Sequence, residues 1–170
     1  MDAVTILREQ LKNVHGLIEF AMNDTLFEQL HHRHEGSTIN SIATIYVHVV
    51  QGEDALMNKL VREQPMLFER EGWQEQVGFP YENDLDKIAE VVSGNSLDAF
   101  RAYSQAVYAE TDAYLATLTA TDLDRPITFG PMGDFPLGIF LANFVSWHMH
   151  QHAGEICALK GCLGGQGLPF

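Results

Sequence analysis

Leu137-Gly-Ile-Phe-Leu-Ala-Asn-Phe-Val-Ser-Trp-His148-Met-His-Gln-His152-Ala-Gly-Glu-Ile-Cys-Ala-Leu-Lys160 is an apolar helical stripe carrying two histidines one turn apart. Leu137, Leu141, Phe144, Val145, His148, His152, Ile156 and Leu159 recur at three-and-four spacing and define one face. Residues four apart on a helix project from nearly the same side, so both imidazoles can reach one ion. A third candidate, His48, lies mid-way along an early apolar helix beside Ile45, Gly52, Ala55 and Leu56. A buried neutral imidazole needs a partner for each ring nitrogen, and a metal ion supplies one. His48, His148 and His152 are therefore read as a three-nitrogen metal site with positions left open for water or substrate. The competing reading makes them ordinary core histidines satisfied by carbonyls or water.

Working outward, Pro136 suits the first turn of this last helix, Asp134 stands as its cap, and Gly161 ends it. Before it, Arg125–Phe129 and Asp134-Phe135 around Gly130–Gly133 read as a small hairpin or an irregular loop. An earlier helix runs from Asn95-Ser96 to about Leu118, and the first from about Asp2 to Leu30 on Leu7, Leu11, Val14, Ile18, Met22 and Leu26. The second, capped by Ser37 or Thr38, reaches about Leu60 before Pro65. Between Gln64 and Asn95 lies a connection too long for a simple hairpin, with a short helix expected over Asp84–Val92. The pattern predicts an all-α fold, a four-helix bundle with one long crossover, in one domain spanning 1–170.

With 170 residues and 46% hydrophobic content the chain can bury one sizeable core. Its net charge of −13 and scattered basic residues argue against nucleic acid as a partner. No basic-then-apolar leader opens the chain, and no apolar run approaches the ~20 residues of a membrane span. Neither a secretory nor a membrane role is expected. Cys157 and Cys162 form no Cys-x-x-Cys pair, which fits a reducing cytoplasmic location.

Other histidines are set aside. His150 lies roughly 200° around the helix from His148, His15 reads as a boundary residue beside Glu19, and His31-His32-His34 as a solvated helix end. Glu155, close to the face of His152, is a candidate acceptor for a ligating imidazole. The glutamate that follows the first histidine in zinc metalloproteases is missing, as are the paired Glu-x-x-His motifs of dinuclear bundles. Tyr46, Tyr103 and Glu155 are the neighbours considered as a general base, and none is assigned as catalytic.

Tyr46-Val-His48-Val-Val-Gln-Gly-Glu-Asp54, His148-Met-His-Gln-His-Ala-Gly-Glu-Ile156 and the Gly164–Phe170 tail together resemble the DinB/YfiT-like family of metalloenzymes. The resemblance covers essentially the whole chain. It implies a four-helix bundle in which His48, His148 and His152 bind one divalent ion, zinc or nickel, often in a homodimer. Some relatives transfer or isomerise with the help of low-molecular-weight thiols. Ala153 and Glu155 stand where arginine and glutamine are common in that family. The expected function is a metal-dependent enzyme of thiol-transferase or hydrolase type acting on a small molecule or thiol. The alternative is a non-catalytic metal-binding or stress-response bundle.

Overall fold

The computed structural model describes residues 2–169. Helix α1 (Ala3–Asn23) starts where the Asp2 carboxylate accepts the Thr5 amide at 2.8 Å, and it buries Leu7, Leu11, Val14, Ile18 and Met22. It stops sooner than its apolar period predicts. The Thr25 hydroxyl donates to the Ala21 carbonyl at 2.6 Å, and Leu26 turns extended and exposed before the short α2 (Phe27–His31). Helix α3 (Ile42–Asp54) begins after Ser41, not Ser37 or Thr38; the Ser41 hydroxyl accepts from Thr44 N. It runs directly into a wider π-helical stretch, Ala55–Val61.

Side-chain pairs fix the helix directions. Arg8 pairs with Asp112 while Arg101 donates to the Met22 carbonyl, so α1 and α7 (Asp98–Leu115) are antiparallel. Tyr46 meets Glu19 and Glu53 meets His15, so α3 also opposes α1. Helix α9 (Trp147–Cys162) runs with α1: Lys160 reaches the Ala21 carbonyl while His150 shares a surface cavity with Gln10. Contacts link α3 with α9, α9 with α1, α1 with α7 and α7 with α3, closing the four-helix bundle.

Because α3 and α7 point the same way, the chain must return along the bundle between them. That return carries α4 (Leu67–Arg70), α5 (Trp73–Val77) and α6 (Leu85–Val91), one more pair of short helices than the sequence suggested. Asp54, wholly buried, anchors its start. Its carboxylate accepts from Leu67 N and Phe68 N at 2.9 Å each, from Asn58 Nδ2 at 2.6 Å and from Tyr103 Oη at 2.6 Å. Two of these bonds cap α4.

The hairpin pairs β1 (Pro126–Thr128) with β2 (Asp134–Pro136), Ile127 opposite Phe135. It feeds α8 (Leu137–Phe140), a second π-helical stretch (Leu141–Ser146), and then α9 without interruption. Asp134 accepts from the Thr128 hydroxyl and leaves the helix start to Pro136. Gly161 stays helical; the turn out of the helix is made at Gly164, whose φ of 81° costs glycine little. No helix among the described residues is long and apolar enough to cross a membrane.

Candidate metal centre

His48 comes from the middle of α3, and His148 and His152 come from the first turns of α9. Their packing brings His148 Nε2 to 3.3 Å from His48 Nε2 and 3.1 Å from His152 Nε2. One nitrogen from each of the three lies within 4.8 Å of the others. The rings stand nearly edge-on to one another, at 75° and 85°. A tetrahedral ion about 2.0–2.1 Å from each nitrogen would hold them roughly 3.3–3.4 Å apart. The two spacings to His148 match that within a few tenths of an ångström.

Protonation sharpens the fit. Burial, followed by the charge of His152, pushes His48 and His148 down to about 4, so both are neutral near pH 7. The Glu155 carboxylate lies 2.5 Å from His152 Nδ1 and accepts its hydrogen bond, which turns Nε2 toward the other two histidines. His148 Nε2 faces two such nitrogens and can donate to at most one. A cation at the centre satisfies all three, so this donor set suits a divalent ion.

The three histidines are half-buried, set on the flank of α9 and not at its core. The deepest face of that helix is Met149, Ala153, Ile156 and Lys160, one position round from the face expected. The displacement matters because it turns His48 and His148 toward a cavity of about 330 Å³. Gly52, Ala55 and Leu56 form its α3 side, and Asn143, Phe144 and Trp147 its α8–α9 side. Both walls draw on the π-helical stretches, which supply Ala55 and Leu56 on one side and Asn143 and Phe144 on the other. Tyr81 from the crossover, Phe129 from the hairpin loop and Gln151 complete the lining.

Tyr81 and Phe129 were not singled out from sequence, because only the crossover and hairpin paths bring them here. Tyr81 is half-buried; burial raises its phenol, and Lys59 Nζ sits 5.1 Å from its ring centre. The tyrosines considered from sequence are engaged elsewhere: Tyr46 Oη donates to Ser104 Oγ at 2.7 Å, and Tyr103 Oη to Asp54.

His150 is exposed, hydrogen-bonded to the Ser146 carbonyl at 2.7 Å, and apart from the cluster, as expected. His15 is not a boundary residue: it is buried, 2.9 Å from Glu53 Oε2 and stacked on Tyr108. His31 likewise does more than end a helix, since its Nε2 bonds the Asn95 carbonyl at 2.9 Å. Cys157 and Cys162 are both free, the first buried and the second exposed.

Comparison with known proteins follows the same lines. The sequence profile of the DinB superfamily matches residues 10–156. A conserved protein from Enterococcus faecalis has a similar structure, with TM-score 0.80 and 17% identity over 96% of this chain and 99% of that one. YfiT from Bacillus subtilis, described as "a probable metal-dependent hydrolase with an unusual four-helix bundle topology", aligns with TM-score 0.65 and 20% identity. That alignment covers 96% of this chain and 89% of YfiT. Among curated proteins none matches.

Proposed function

The chain belongs to the DinB superfamily, and from there we propose that it is a metal-dependent enzyme in which His48, His148 and His152 hold one divalent ion, zinc or nickel. The observation that carries this reading is the convergence of three imidazole nitrogens, two of them on side chains held neutral by burial, beside an open cavity. A structural site would be closed by a fourth protein ligand; no other His, Cys, Asp or Glu joins this group among the described residues. When bound, a divalent ion would lower the pKa of a coordinated water or thiol toward neutrality. The chain's own parts have separable tasks. The three imidazoles bind; Glu155 holds the His152 tautomer; Phe129, Phe144 and Leu56 exclude bulk water; Asn143, Gln151 and Tyr81 offer polar contacts to a ligand.

The reactions that fit are hydrolysis or thiol transfer on a small molecule. YfiT's description as a hydrolase favours the first as the assay to run. The test loads the protein with zinc or nickel and measures turnover of small aryl esters and amides, and of aryl electrophiles with added thiol. Turnover that disappears with chelator and in His148→Ala supports the proposal. Stoichiometric ion binding without turnover in either assay series would favour the non-catalytic metal-binding role instead.

A further inference from the structure

The character of the cavity wall says which half of small-molecule chemistry the site can hold. No Lys, Arg, Asp or Glu lines it among the described residues; apart from the histidines its polar groups are amides, a phenol and an indole. Lys59, the cation over the Tyr81 ring, is already paired with Glu69 at 2.7 Å. Away from the ion itself, a carboxylate or phosphate would find no counter-charge on this wall, and the net charge of −13 would repel it on approach.

The walls are instead aromatic and held in place by their own packing. Phe129 meets Phe144 at 5.0 Å and Phe140 at 5.4 Å, and Phe135 backs Phe144 at 4.9 Å. These contacts brace the hairpin against the α8 end of the last helix, so the apolar wall is preformed. Trp147 stands at the mouth with 60% of its surface exposed, an unusual position for so large an apolar side chain. A volume of about 330 Å³ lies at the small end of the ~300–1,000 Å³ range of ligand sites.

Resting on the metal-site reading above, we propose that the cavity selects small ligands whose metal-binding head carries an uncharged aryl or branched apolar group, seated between Phe129, Phe144 and Trp147, with the head directed at the histidines. Within the hydrolase or thiol-transfer reading, the substrate is a small compound whose aryl or alkyl part carries no charge.

The experiment titrates zinc-loaded protein by calorimetry with three hydroxamic acids sharing one metal-binding head: acetohydroxamic, benzohydroxamic and 4-carboxybenzohydroxamic acid. Metal content is measured in parallel. Burying the ring predicts about ten-fold or more tighter binding of benzohydroxamic than acetohydroxamic acid. The carboxylated probe is expected to lose that advantage. Trp147 emission shifts to the blue only with the aryl probe, and Trp147→Ala and Phe129→Ala, both loading zinc normally, shrink the aryl preference. Trp147 is exposed, so its truncation leaves folding intact. Zinc bound with equal affinity for acetohydroxamic and benzohydroxamic acid, or with the carboxylated probe preferred, overturns the apolar selection while leaving the metal site standing. A protein that takes up no zinc overturns both.

Discussion

Glu155→Gln is the perturbation whose magnitude follows most directly from the geometry. The Glu155 carboxylate, 43% exposed, lies 2.5 Å from His152 Nδ1. It holds the Nδ1–H tautomer and adds negative charge behind the ligand nitrogen, making Nε2 a better donor to a cation. Losing such a partner weakens metal binding by ~10–100-fold. Because solvent screens a group this exposed, the lower end is expected, about ten-fold or ~1.4 kcal/mol. Glutamine keeps an acceptor oxygen and loses only the charge, whereas Glu155→Ala loses both, so affinity should fall in the order wild type, Gln, Ala. Competition between each protein and a calibrated zinc chelator at pH 7.5 reads this out. Thermal melts of the metal-free proteins should differ by less than about 0.5 kcal/mol, because an exposed ion pair contributes little to folding. Zinc affinities within about two-fold of wild type for Glu155→Ala would show that this carboxylate does not orient His152.

Further expectations concern the frame of the site. Replacing buried Asp54 by alanine strands two helix-cap amides, the Asn58 amide and the Tyr103 hydroxyl; a loss of ~3–5 kcal/mol is expected in urea melts, with the crossover the first segment to exchange its amides. For the metal-free protein, His48 and His148 titrate near 4 in the fold, below the ~6.5 of an unfolded chain. The unfolded state therefore binds the extra protons, so stability is complete above about pH 6.5 and falls toward pH 4. His48→Gln should flatten that fall, and identical pH profiles for variant and wild type would remove burial of the imidazole as its cause. At Gly167 an added Cβ would come within 2.6 Å of the Cys157 carbonyl oxygen. Gly167→Ala is thus expected to lift the C-terminal segment from α9, at a cost of ~1–3 kcal/mol, visible as faster proteolysis of the tail.

The bundle and the three histidines were legible because both depend on helical periodicity, which a single sequence displays. What escaped depended on contacts from elsewhere. His15 has a local neighbour in Glu19, yet its partners Glu53 and Tyr108 come from α3 and α7, so nothing near it in sequence marks it as buried. The break after Asn23 is hidden because Leu26 and Leu30 continue the apolar period; the Thr25 hydroxyl and the Gln29 side chain, which accepts from Leu26 N at 2.9 Å, outcompete it locally. Helix ends were misplaced wherever several caps were available, as at Ser37, Thr38 and Ser41, or Gly161 and Gly164. The two π-helical stretches leave no periodic signature, yet they supply Ala55, Leu56, Asn143 and Phe144 to the cavity beside the histidines. Tyr81 and Phe129 belong to the same class, placed by topology and not by pattern.

Metal content per chain, measured by plasma mass spectrometry after loading with zinc or nickel, tests the three-histidine centre most directly. About one ion per chain in wild type, lost in His48→Ala, His148→Ala and His152→Ala but retained in His150→Ala, is the predicted result. No ion in wild type, or an ion kept by all three variants, would leave these imidazoles as ordinary half-buried packing residues and contradict the proposed centre.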